Sequence, residues 1–293
     1  MSWAARPSGL AALVLTLALG ACSTGWVFES RSDHADRLAA ARGWSRFHVT
    51  DSDFPLSGYR APNSDQAPDL TIYFEGDGYA WVDLRTPSTD PTPRDPIGLR
   101  LALSDPLATH YLARPCQFAG RRAPRCETRY WTGARFAPEV VAAAGAAIDR
   151  IKAGRPTARL HLAGFSGGGV LAALVAASRQ DVASLVTVAA PMDVDLWTVH
   201  HGVAALRGSQ SPIDFIESLR CLPQIHIVGE RDRVVPGTIV QSYLDRLQAS
   251  PNRRCDAPDR APPKPILLTA PGLGHDDGWQ AVWASLLASA RQR

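Results

Sequence analysis

The stretch "LAGFSGGGVLAA", Leu162 to Ala173, decides how this chain is read. It crosses from an apolar run ending at Phe165 into a run with helical spacing, and it sets Ser166 among glycines at the crossing. Gly164-Phe165-Ser166-Gly167-Gly168 fits the pattern Gly-x-Ser-x-Gly between a strand and a helix, the sequence form of a nucleophile elbow. Such a turn strains the serine backbone and exposes its hydroxyl. Side chains two places before and after would collide, so Gly164 and Gly168 suit it. The helix starting near Gly167 aims unpaired N–H groups at developing negative charge. Other readings fit less well: a phosphate loop needs a Lys-Ser/Thr ending, and a dinucleotide fingerprint needs its glycines at other spacings. Close packing of two elements stays open on this stretch alone.

Outward from it, strand and helix alternate. "LTIYFEG" (Leu70 to Gly76), "HYLARP" (His110 to Pro115), "RLHLAGF", "SLVTVAA", "QIHIVG" and "PILLTA" read as buried strands. Helical spacing covers 137–153, 167–179, 237–249 and the run from Gly278 to the end. "WSRFHVTDSDFPLSGYRA" reads as two short strands around a Pro-Leu-Ser-Gly turn, and a Pro-rich loop with a short helix follows Gly76. Residues 193–223 form an irregular excursion, expected to roof the site. The exchange predicts an α/β fold in one domain over 44–293, with a mostly parallel central sheet and helices on both faces. Such sheets bind ligands at the carboxyl ends of their strands, so functional residues are expected just after them.

A serine hydroxyl is a poor nucleophile until a base takes its proton and a third group orients that base. After "QIHIVG" comes Gly229-Glu230-Arg231-Asp232, and after "PILLTA" comes Gly272-Leu273-Gly274-His275. Singly, Asp232 could cap a turn and His275 could be an exposed loop residue. Serine, acid and histidine after three appropriate strands, in that chain order, predict a Ser166–His275–Asp232 triad.

From about Leu70 onward the chain resembles the α/β-hydrolases, through the elbow "GFSGG", the acid loop "GERDRVVP" and the base loop "GLGHDDG". More narrowly, "YFEGDGYAW", "YLARPCQ", "YWTGARFAPEVV" and "DLWTVHHG" resemble a group of bacterial α/β-hydrolase-like lipoproteins. The resemblance implies a serine hydrolase, esterase- or lipase-like, acting on a small-molecule ester or acyl substrate with no cofactor and no metal. It places the oxyanion donors at the Gly167 N–H and in Gly76-Asp77-Gly78, with Asp77 favoured and Gly78 next. Glu75 stands where a histidine commonly precedes that glycine, and bracing of the loop is its expected role. Some such enzymes take their acid from the preceding strand, which makes Asp193 the alternative acid. Glu75, Tyr79, Phe165, Trp197 and His201 are candidates for the substrate pocket. Peptidase, thioesterase or acyltransferase chemistry would use the same triad. A non-catalytic envelope lipoprotein that binds a ligand or partner is the alternative of another class.

Residues 1–21 read as an export signal: one Arg, then an apolar stretch from Gly9 to Leu19, about eleven residues and too short to span a bilayer. Leu19-Gly20-Ala21-Cys22 resembles a bacterial lipobox, which implies a lipid on Cys22. Ser23 then implies sorting to the outer membrane, facing the periplasm. Residues 22–43 read as anchor and spacer. The net charge is only +3, and Lys152 and Lys264 are the sole lysines. Arg and Ala are spread throughout, so no nucleic-acid partner is expected, and nothing in the sequence fixes an oligomeric state.

Four cysteines remain beyond Cys22, an even count that suggests two disulfides in an exported chain. Cys116 follows the carboxyl end of its strand and Cys126 closes the same loop. Cys221 and Cys255 precede two late strands at the opposite end of the sheet. Bridged Cα atoms lie within about 7 Å, so the expected pairs are Cys116–Cys126 and Cys221–Cys255.

Overall fold

The computed structural model describes Met1 and residues 29–50, 54–119, 125–250, 255 and 262–291. The signal segment and the lipidation site at Cys22 lie outside them. Eight strands form one sheet: β1 (Ser45–Val49), β2 (Leu56–Arg60), β3 (Leu70–Phe74), β4 (His110–Leu112), β5 (Leu160–Phe165), β6 (Val182–Val188), β7 (Gln224–Gly229) and β8 (Ile266–Ala270). Their spatial order is β1-β2-β4-β3-β5-β6-β7-β8. β4, β3, β5, β6, β7 and β8 pair in parallel, and β1 and β2 add an antiparallel edge.

The chain steps one way along the sheet from β3 to β4 and the other way from β5 onward. The gap above β3 and β5 is therefore the topological switch point, where crossovers leave a crevice. β3 delivers Glu75 to Asp77 there, and β5 delivers Ser166.

Two apolar layers cover the sheet. Helices α3 (Pro138–Lys152), α4 (Gly167–Ala177) and α7 (Gly237–Ala249) pack one face, with the short α6 (Ile216–Leu219) between them. Helices α1 (Arg31–Ala40), α2 (Ile97–Ser104) and α8 (Trp279–Arg291) pack the other, where Trp279 and Trp283 are fully buried. α4 is buried from Gly167 to Ala176, as a helix beneath the centre of a sheet must be. Leu171 alone contributes about 1.5–3 kcal/mol by leaving water. α5 (Val194–His200) belongs to the excursion over the site.

Two expectations change. The Leu-Ser-Gly of the expected turn lies inside β2, because Gly58 gives room for the Phe47 ring and the Tyr111 carbonyl, which a Cβ would meet at 2.5 Å. Residues 31–40, assigned to the spacer, form α1 and dock on the domain. Ala35 and Ala39 are buried, and Asp36 accepts from Tyr59 Oη at 2.7 Å and from Arg46 at 3.1 Å. A Ser30–Asp33 capping box starts that helix. Both expected disulfides are present, Cys116–Cys126 and Cys221–Cys255, with Cα atoms 5.4 and 5.6 Å apart.

Candidate active site

Ser166 lies between β5 and α4 with φ 51° and ψ −126°, a conformation that L residues hold only under constraint. The constraint is local packing. A Cβ on Gly164 would stand 2.2 Å from the Gly168 carbonyl oxygen, and one on Gly168 2.3 Å from that of Glu75. Only glycines let strand and helix approach this closely, and the approach lifts the serine hydroxyl out of the turn.

Three strands meet at that hydroxyl. His275, five residues past β8, places Nε2 3.0 Å from Ser166 Oγ and Nδ1 2.8 Å from Asp232 Oδ2. The Asp232 side chain is fully buried, and its Oδ1 accepts the Val234 and Val235 N–H groups at 2.8 Å each. A carboxylate only accepts, so Nδ1 carries the ring proton and Nε2 offers its lone pair to the serine. The Phe165 ring lies 5.3 Å from the imidazole, and Trp279 Nε1 donates to the His275 carbonyl at 2.7 Å. Asp193, the alternative acid, is occupied elsewhere. Its side chain caps α5 through the Leu196 N–H at 3.0 Å and accepts from Ser242 Oγ at 2.6 Å.

The loop after β3 closes the other side. Glu75 is buried and accepts from the N–H groups of Gly76, Gly98 and Leu99 and from Tyr111 Oη. Burial pushes its carboxyl up from the usual range, and those donors only partly offset the shift. Its role is the expected bracing. The Gly76 N–H is thereby occupied, and the Tyr79 N–H donates to Pro91. Among the described hydrogen bonds, the N–H groups of Asp77 and Gly78 have no acceptor. A Cβ on Gly76 would stand 3.4 Å from Ser166 Cβ, so this loop lies against the serine.

The Asp77 side chain itself is clamped. Arg114 Nη1 donates to Oδ1 at 2.8 Å, and Arg135 Nη1 donates to Oδ2. Arg114 also donates to the Arg135 carbonyl, and Gln117 Nε2 donates to the Gly76 carbonyl at 2.9 Å. Burial alone would raise the Asp77 carboxyl. The charges of Arg135 and Arg114 overcome that and hold it below its ordinary value. The sequence reading missed Arg114, Arg135 and Gln117. Arg114 and Gln117 follow the carboxyl end of β4, where the strand rule pointed. Arg135 follows no strand and gave no signal.

A cleft of about 790 Å³ opens over Ser166, His275 and Asp77, and its lining includes Glu75, Tyr79, Phe165 and Trp197 from the expected pocket set. His201 is a correction, since it is absent from that lining. Its Nε2 donates to the Val234 carbonyl at 2.7 Å, beside the Trp197 Nε1 bond to the same oxygen at 2.8 Å. It pins α5 to the loop that carries Asp232 and Val234.

The sequence matches no protein-family model and no curated protein. Its fold has many counterparts among solved structures. An esterase from Pyrococcus furiosus aligns over 88% of this chain and 94% of its own, at 18% identity and a TM-score of 0.57. A lidless α/β serine hydrolase from Xanthomonas campestris aligns over 85% and 92%, at 17% identity and a TM-score of 0.52. An α/β serine hydrolase homologue from Coxiella burnetii aligns over 85% and 96%, at 18% identity and a TM-score of 0.51. With its switch-point crevice, strained serine and mostly parallel sheet, this chain has the α/β-hydrolase fold.

Proposed function

We propose that the protein is a lipid-anchored serine hydrolase of the bacterial envelope that cleaves carboxylic esters through an acyl-enzyme. One observation carries the reading: the unbroken hydrogen-bond chain from Ser166 Oγ through His275 to Asp232, at 3.0 and 2.8 Å, opening into a cleft. His275 takes the Ser166 proton on Nε2 as Oγ attacks the ester carbonyl. Asp232 holds the ring in the one tautomer that can do so and stabilises the imidazolium. The oxyanion faces the N–H groups of Gly167 and Asp77, with Gly78 next in line. Loss of one such donor typically costs a factor of about 10²–10³. His275 then protonates the leaving alkoxide, and a water activated by the same nitrogen releases the acid.

Esterase neighbours support an ester over an amide. A non-catalytic binding lipoprotein would gain nothing from the strained serine and the ordered tautomer. A fluorophosphonate probe tests the reading: wild type takes the label and Ser166→Ala does not, whereas an unlabelled wild type overturns it. A nitrophenyl ester series then ranks acyl length. The anchor is tested separately, since incorporation of an alkyne fatty acid should vanish in Cys22→Ser.

A further inference from the structure

The chain joins the domain beside the mouth of the cleft. Arg31, at the start of α1, stacks over the Tyr79 ring at 4.7 Å and donates to the carbonyls of Asp90 and Thr92. Tyr79 lines the cleft, and so does Arg94, which stacks on the same ring at 4.0 Å. Ser30 is thus fixed at the rim. The span from Cys22 to Ser30 reaches at most about 28 Å when fully extended. A domain of this length is roughly 45 Å across. A lipid on Cys22 would therefore hold the rim near the bilayer and leave the amino ends of the strands, on the far side, out of reach.

That rim is apolar. Among the described residues, nine large apolar side chains are exposed, and six of them stand on segments that wall the cleft: Trp81, Val82 and Leu84, then Leu196 and Val199, then Val234. Leu84 is 99% exposed at the tip of a turn that is rigid, not loose. Asp83 accepts the Arg85 and Thr86 N–H groups at 2.8 Å, and the Val82 N–H closes onto Thr86. On α5, Val199 is 74% exposed, and Trp197 and His201 fasten that helix to Val234. Exposed apolar groups on two stiff walls of one cleft mark a contact surface. The position of the tether selects the occupant.

We propose that these two walls dip into the membrane that anchors the chain, so that the cleft opens onto the bilayer and the ester attacked by Ser166 belongs to a bilayer lipid. The ester half of this rests on the serine-hydrolase reading above. The docking half rests on the Cys22 anchor.

The test uses the full lipidated chain in phosphatidylethanolamine–phosphatidylglycerol vesicles. Single cysteines at Leu84→Cys, Val199→Cys and Leu107→Cys carry an environment-sensitive fluorophore, and doxyl-labelled lipid is the quencher. Leu107 is exposed before β4, at the far end of the strands. The labels at 84 and 199 should be quenched at least threefold more than the label at 107. Equal quenching at all three sites, or none at 84 and 199, overturns the proposal. Independently, the Leu84→Asp/Val199→Asp double variant should lose at least tenfold in hydrolysis of a long-chain ester carried in the vesicle. Its rate on a soluble short-chain ester should stay within twofold of wild type. An unchanged vesicle rate overturns the proposal. If the rim labels are quenched but wild type hydrolyses neither ester, the docking surface stands and the hydrolase reading falls.

Discussion

Asp193 and Asp232 occupy comparable places. Each is buried in the loop just past the carboxyl end of its strand, β6 for the first and the adjacent β7 for the second. Only Asp232 meets a histidine. The difference lies in the next strand over. β8 pairs with β7, and the loop that follows it is tied to the Asp232 loop by the Glu230 N–H to Ala270 and the Arg231 N–H to Leu273. His275 therefore descends on Asp232, while Asp193 turns to α5 and α7, where Ser242 and Arg246 take its second oxygen. Residue type and strand position make an acid available. Sheet order decides which acid meets the histidine.

The largest effect should come from exchanging the two acids' chemistry. Asp232→Asn should lower kcat on a nitrophenyl ester about 10⁴-fold by favouring the wrong imidazole tautomer. Asp193→Asn should leave kcat within about threefold, because Asn still caps α5. The opposite ranking would reassign the acid. A third carboxylate extends the contrast. Asp77→Ala strands two guanidinium groups, of Arg114 and Arg135, that are 6% and 7% exposed. Urea denaturation should show a loss of about 3–5 kcal/mol. A variant within 1 kcal/mol of wild type would mean that the clamp contributes no stability.

Cys221 lies just before β7, at the end of the strand away from Asp232, so the Cys221–Cys255 disulfide should separate stability from turnover. By loop closure, cutting Cys221–Cys255, whose partners are 34 positions apart in sequence, should cost about 4 kcal/mol, and cutting Cys116–Cys126, 10 apart, about 3 kcal/mol. The Cys221–Cys255 variant should keep its kcat near wild type, and a hundredfold fall would show that strand ends and active edge are coupled.

The smallest effect concerns the seam between the two strands that carry Asp193 and Asp232. His226 on β7 bonds Thr187 on β6 through Nδ1 at 2.7 Å, and burial drives its imidazole down to about 3. Above pH 6.5 the ring is neutral in both states and the stability is complete. As pH falls from 6.5 toward 3, the unfolded chain binds a proton that the folded chain refuses. Stability then drops by about 1.4 kcal/mol per pH unit for this residue. Chemical denaturation between pH 7 and 5 should show the slope, reduced by one proton in His226→Gln. His110, lowered to about 4 by burial, adds a similar contribution.

Local chemistry carried far in this protein. The periodicities placed β3 to β8 and their helices, the glycine spacing marked Ser166, and the order of strands and loops picked out His275, Asp232 and both disulfides. These are properties of neighbours along the chain, and backbone sterics and side-chain pattern act at that range. The Arg114 and Arg135 clamp on Asp77, the turning of His201 onto Val234 and the docking of α1 at the cleft rim could not be read that way. Each joins groups far apart in sequence, and which partners meet is settled only when strands take their order and burial forces every charge to find a counterpart.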